Sequence, residues 1–147
     1  MLWCLFMNKP VYHHASCVGI DGKGLLLLGE SGAGKSDLAL RLIDGGATLI
    51  ADDQVIIRLH GDRLMVSAPD TLRGLIEARG VGILRLPYLP EIPLTLAIHL
   101  VGPNKQERLP EAAFFHCFEK QVPLLSLHAF DPSVCAKIRL FLQALHS

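Results

Sequence analysis

The sequence predicts an α/β fold, a single P-loop domain with a mixed central sheet flanked by helices. Three observations carry this. An apolar run, a glycine-rich octapeptide and an amphipathic segment follow one another between residues 25 and 43. Short apolar runs recur along the rest of the chain, several joined by hairpin-length links, so antiparallel pairs must accompany any parallel ones. The chain has 147 residues, half of them hydrophobic, which suits one compact domain with a real core.

Taken in order, Tyr12 to Ile20 reads as a strand, and Asp21-Gly22-Lys23-Gly24 as a tight turn. Leu25 to Leu28 is short and glycine-flanked, which favours a buried strand over a helix. From Ser36 to Ile43, Leu38, Leu42 and Ile43 share one helical face, and Gly45-Gly46 stops the helix. Thr48 to Ala51 is a second buried strand, ending at Asp52-Asp53. Val55 to Leu59 and Arg63 to Val66 flank His60-Gly61-Asp62 as a hairpin. Pro69-Asp70 opens an expected helix through about Ala78, with Asp70 as its N-cap. Ile83 to Leu86 follows a glycine turn, and Pro87, Pro90 and Pro93 mark a loop. Leu94 to Val101 and Val122 to Leu127 are strands, with a largely irregular polar stretch between them. Asp131-Pro132 opens a last helix that turns Ile138, Phe141, Leu142 and Leu145 inward.

Composition excludes some classes of function. Lys+Arg and Asp+Glu balance at 14 each and no basic run stands out, so no nucleic-acid partner is expected. No apolar run approaches the ~20 residues of a membrane span. The opening Met1-to-Met7 stretch lacks a basic start and a cleavage site, so no membrane association is expected and the reading is cytoplasmic. Cys4, Cys17, Cys117 and Cys135 have neither zinc-site nor Cys-x-x-Cys spacing and read as small hydrophobes in a reducing compartment.

The octapeptide Gly29, Glu30, Ser31, Gly32, Ala33, Gly34, Lys35, Ser36 satisfies G-x-x-x-x-G-K-[ST]. Glycines let successive backbone N–H groups curl around phosphate oxygens, and the helix that follows turns its positive end toward them. Lys35 is expected to reach the β- and γ-phosphates of a nucleotide, and the Ser36 hydroxyl to ligate Mg²⁺. Phosphoryl chemistry also needs a carboxylate nearby, and Asp52-Asp53 at a strand end is the best candidate. Adjacent side chains on an extended backbone face opposite ways, so one aspartate faces the phosphates and the other solvent or a neighbour.

Four segments together resemble the C-terminal catalytic domain of bacterial HPr kinase/phosphorylase, which phosphorylates a serine of the phosphocarrier HPr. They are His14 with the turn from Asp21 to Gly24, Gly29 to Ser36, Leu49-Ile50-Ala51-Asp52-Asp53, and Leu75-Ile76-Glu77-Ala78-Arg79-Gly80-Val81-Gly82-Ile83. The resemblance implies residues 11–147 as a catalytic domain, with 1–10 as an extension. It implies ATP and Mg²⁺ as cofactors and HPr or an HPr-like phosphocarrier as partner. A homo-oligomer, a hexamer in the family, is also implied; Trp3, Leu5 and Phe6 in the extension hint at covered surface. Asp52 matches the proton-transfer aspartate with Asp53 as its support, and Ser36 and Glu77 match the Mg²⁺ ligands. Lys35 matches the residue that neutralises the transferring phosphoryl group, and Arg108 the catalytic arginine. His14 matches a histidine beside the aspartate, whereas His13 reads as structural. Arg79 is expected to organise its loop rather than touch phosphate.

The chain departs from the family pattern in three places. Met1 to Pro10 is too short for the family's N-terminal domain, so a reduced form consisting of the catalytic domain is the expectation. Pro87 to Pro93 replaces a glycine-rich loop. His128-Ala129-Phe130-Asp131-Pro132-Ser133 lacks the arginine and glycine tied to phosphoserine dephosphorylation. Kinase activity is therefore the expectation, with reverse phosphorolysis in doubt. A P-loop kinase for a small metabolite and a non-catalytic nucleotide-binding regulator are the competing readings.

Overall fold

The structure is a computed structural model, and it describes residues 9–145. Trp3, Leu5, Phe6 and Cys4, and with them most of the expected extension, lie outside the described residues. The elements in chain order begin with β1 (Val11–His13), β2 (Ser16–Ile20), β3 (Lys23–Leu28), α1 (Lys35–Asp44) and β4 (Thr48–Ala51). They continue with β5 (Val55–His60), β6 (Arg63–Ser67), β7 (Leu75–Ala78), β8 (Gly82–Arg85) and β9 (Glu91–Leu100). The last are β10 (Ala113–Cys117), β11 (Lys120–Leu127) and α2 (Val134–Ala144).

The main sheet is mixed and runs β1-β5-β6-β9-β3-β2-β4, with β11 parallel to β9 and β10 antiparallel to β11. β3 lies parallel to β9, while β2 is antiparallel to both β3 and β4. It follows that β3 and β4 end at the same edge, where β2 begins. The chain segments after Leu28, after Ala51 and before Ser16 therefore converge, and the functional side chains gather there.

Side chains alternate across the sheet as the two-residue strand period requires. Leu25 and Leu27 of β3, with Leu96 and Ile98 of β9, meet Leu38, Ala39 and Leu42 of α1 and Val134, Ile138 and Leu142 of α2. Leu26 and Ala97 point the other way, into a second core closed by Val55, Ile57, Leu64 and Val66 as the sheet curls over itself. Both helices thus cover one face, and β5 and β6 close the other. Each fully buried leucine contributes about 1.5–3 kcal/mol. α1 ends as predicted: Gly45 and Gly46 N–H groups return to Arg41, Leu42 and Ile43 carbonyls. Arg139 of α2 donates to the Leu42 carbonyl at 3.0 Å, placing a cation on the negative end of α1.

Five expectations change. The strand expected from Tyr12 to Ile20 is two, β1 and β2, broken at His14 and Ala15 and paired with different neighbours. Pro93, expected in a loop, lies within β9. The helix expected from Pro69 to Ala78 is a single 3-10 turn at Asp70–Leu72 followed by β7, which pairs with β8 as a separate hairpin. Gly74 at φ 76 breaks the helical path, and its carbonyl receives the Leu86 N–H at 2.7 Å. Asp70 makes no side-chain capping bond. The polar stretch before Val122 contains β10, turned into β11 through Phe118 and Glu119, both at positive φ. Residues other than glycine or asparagine seldom announce such a turn. Leu145 is exposed rather than turned inward.

Candidate functional site

The loop from Gly29 to Gly34 joins β3 to α1. Gly34 adopts φ 100, and a Cβ there would lie 2.8 Å from the Ala129 Cβ, so both its backbone and its surroundings require glycine. No side chain caps α1 at its N-terminus, which leaves its first N–H groups for another acceptor. Lys35 is buried to 8% exposure and folds back, donating to the carbonyls of Gly29 at 2.6 Å and Glu30 at 3.0 Å.

The two aspartates have different surroundings. Asp52 is 6% exposed. Its Oδ1 accepts the hydroxyls of Ser16 at 2.8 Å and Ser36 at 2.7 Å, and its Oδ2 accepts the Glu77 backbone N–H at 3.2 Å. Asp53 adopts φ 72, a left-handed conformation uncommon outside glycine, and this turns its side chain out into the cleft. Its Oδ1 lies 3.4 Å from His14 Nδ1, an ion pair when the imidazole is protonated. The histidine expected beside Asp52 therefore sits beside Asp53. The cause is the strand end itself: the sharp turn after Ala51 separates two carboxylates that are adjacent in sequence.

These groups line an open cleft of about 490 Å³. His14, Asp53, Glu77 and Arg79 contribute to it, with Ser31, Gly32, Lys35 and Ser36 of the loop and Asp37, Leu40 and Phe130. Glu77 is exposed on β7. Arg108 is exposed on the segment between β9 and β10 and is not among the cleft residues; Arg79, expected only to brace its loop, is among them. His13 turns away to pack edge-on against Phe115 at 5.6 Å, and burial holds its imidazole pKa below the ordinary value.

Sequence reasoning missed Ser16. It is fully buried, and its hydroxyl satisfies Asp52. The signal was a polar residue opening an otherwise apolar strand two positions after His14. Cys17 next to it is inert, because burial pushes its thiol pKa far up. Cys17, Cys117 and Cys135 are free thiols.

Ser36, Asp53 and Glu77 present hard oxygen donors to the cleft, the kind that suits Mg²⁺, while both oxygens of Asp52 are already engaged. Among the described residues, no three His, Cys, Asp or Glu side chains converge as a closed metal site.

The fold and site define an α/β domain with the strand–loop–helix turn of the P-loop class and a split pair of carboxylates facing it. The family model described as HPr Serine kinase C-terminal domain matches residues 6–109. The HPr kinase/phosphorylase of Caldanaerobacter subterraneus subsp. tengcongensis is 54% identical over 77 residues, covering 52% of this chain and 25% of that protein. That of Mycoplasmopsis pulmonis is 34% identical over 102 residues, covering 65% of this chain and 33% of that protein. The solved structure of the Hpr(Ser) kinase/phosphatase from Coxiella burnetii superimposes with a TM-score of 0.81 at 26% identity, covering 92% of this chain and 90% of that one. The chain belongs to the HPr serine kinase C-terminal domain family. It spans a quarter to a third of the length of these curated relatives.

Proposed function

We propose that the chain is an ATP- and Mg²⁺-dependent serine kinase acting on HPr or an HPr-like phosphocarrier. The observation that carries this reading is the exposed His14–Asp53 pair, held in one cleft with Lys35, Ser36 and Glu77. Gly29 to Ser36 hold the phosphates through backbone N–H groups, and Lys35 leaves its two carbonyls to meet the γ-phosphate. Mg²⁺, held by Ser36 and Glu77, supplies charge neutralisation on the phosphates. Asp52 orients Ser36 rather than moving a proton, because both its oxygens are engaged below the surface. Asp53 takes the proton from the acceptor serine hydroxyl as that oxygen bonds to the γ-phosphorus and ADP leaves, and His14 holds the carboxylate in place. This assigns the base role to Asp53 rather than Asp52. Arg79 supplies positive charge from the cleft wall, while Arg108 reaches the reaction only if its segment moves.

His14 and Asp53 side chains are 58% and 73% exposed, an open shelf that suits a protein acceptor better than an enclosed metabolite pocket. In place of the family's arginine and glycine, the segment around Phe130 packs on Gly34, so the forward direction is assigned and phosphorolysis is not. The protein is assigned to the cytoplasm as a homo-oligomer, in residues 11–147, with neither nucleic-acid nor membrane partners. No helix of the described residues is long and apolar enough to cross a membrane. Incubation with γ-labelled ATP, Mg²⁺ and HPr tests the reading. Label on an HPr serine supports it. Label on a small molecule, or nucleotide binding without transfer, shifts it to a metabolite kinase or a regulator.

A further inference from the structure

Phe130 is a large apolar side chain left 54% exposed immediately beside the phosphate-binding loop. It is not loose. A Cβ built on Gly34 would meet the Phe130 ring at 3.0 Å, and the preceding Ala129 is fully buried. The Arg41 guanidinium lies 5.8 Å from the ring centroid and also donates to the Ala129 carbonyl. The His128 ring meets Phe130 edge-on at 5.8 Å. The backbone, a cation and a second ring thus fix this aromatic, which stays half exposed and lines the cleft.

The cleft is polar where His14, Asp53, Glu77 and Arg79 gather, and that part belongs to the transferring phosphoryl group and its acceptor. A nucleotide whose phosphates occupy Gly29 to Ser36 must therefore run its nucleoside away from those charges. Phe130 is the large aromatic side chain of the cleft lining, which also includes Leu40, one helical turn beyond Ser36, and Ala78. We propose that Phe130 is the nucleobase platform, stacking the purine of the nucleotide against its exposed face. This deepens the proposed function and rests on its P-loop reading. A stacked base is recognised by its π-face, so the platform confers nucleoside affinity with little choice between purines.

The test measures Mg²⁺-dependent binding of ATP, GTP and tripolyphosphate to the full chain by calorimetry, for the wild type and for Phe130→Ala, Phe130→Leu and Phe130→Tyr. Leucine keeps bulk against Gly34 and removes the aromatic face; tyrosine keeps the face. The expected result is a loss of about 5- to 150-fold in ATP and GTP affinity for alanine and leucine, the range for base–aromatic stacking. Tripolyphosphate affinity stays within about twofold, and Phe130→Tyr stays near wild type. The fluorescence of 2-aminopurine riboside triphosphate should be quenched by the wild type and not by Phe130→Leu. Unchanged ATP affinity in Phe130→Leu overturns the proposal. So does an equal loss for ATP and tripolyphosphate, which makes the ring a brace for the loop. A wild type that binds neither ligand overturns the P-loop reading itself, whereas one that binds both equally tightly overturns only the platform.

Discussion

Replacing each aspartate by asparagine separates two roles that the sequence places side by side. Asp53 is 73% exposed and its partner His14 is 58% exposed. An exposed pair of this kind contributes about 0–1 kcal/mol, so Asp53→Asn should leave the melting temperature and ATP affinity nearly unchanged. Its turnover should fall by about 10²- to 10⁴-fold, the contribution of a positioned general base. Asp52→Asn should fail differently. At best its carbonyl oxygen keeps the hydroxyls of Ser16 and Ser36, and the new amide then meets the Glu77 N–H donor to donor. One bond is lost and a buried donor is left unsatisfied, a cost of about 1–3 kcal/mol. Ser36 loses its charged anchor, so Mg²⁺-dependent nucleotide affinity falls as well. Chemical denaturation, ATP calorimetry and single-turnover transfer to HPr, run on both variants, read the three quantities. A full-rate Asp53→Asn beside an inactive Asp52→Asn of native stability would refute the division of roles and return the base to Asp52.

Other perturbations follow from the same geometry. Gly34→Ala must fit a methyl 2.8 Å from the Ala129 Cβ at φ 100; a loss of about 1–3 kcal/mol is expected, together with weakened pyrophosphate binding by calorimetry. Leu42→Ala empties a fully buried position between the sheet and α2; the expected cost is about 2–5 kcal/mol, or roughly 6–15 °C in thermal melts. The Asp131 carboxyl is held well below the usual carboxylate range, first by Lys137 and then by the Ser133 N–H. A depressed folded value means that its stabilisation is fully present above the unfolded pKa near ~4 and is lost progressively as pH falls from there through the folded value. Asp131→Asn should therefore melt earlier than wild type at pH 7, and the difference should shrink in strong acid.

Much of the fold was legible because its signals are local. Leu25 to Leu28, Thr48 to Ala51 and the Val55–Val66 hairpin have strand-length apolar runs with glycine or polar ends, and Gly45-Gly46 terminates α1. The stretch after Asp70 misled because an acidic cap and spaced apolar residues also suit a helix; only the register Ile76 to Leu84 makes it a hairpin. The loop Gly29 to Ser36 and the presence of Asp52, Asp53, Glu77 and His14 near it were readable from motif and resemblance. Which aspartate meets His14 was not, because it depends on one left-handed residue, Asp53. Arg79 and Phe130 reach the site through long-range packing that no local pattern encodes, while Ser16 left only the faint signal of a polar residue opening an apolar strand.

The central claim is that this cleft phosphorylates a protein serine. Its most direct measurement is mass spectrometry of HPr after single-turnover incubation with the chain, ATP and Mg²⁺. The account predicts one phosphate on a serine of HPr, dependent on Lys35 and Asp53. Unmodified HPr with ATP bound at Gly29 to Ser36, at any Mg²⁺ concentration, would contradict it.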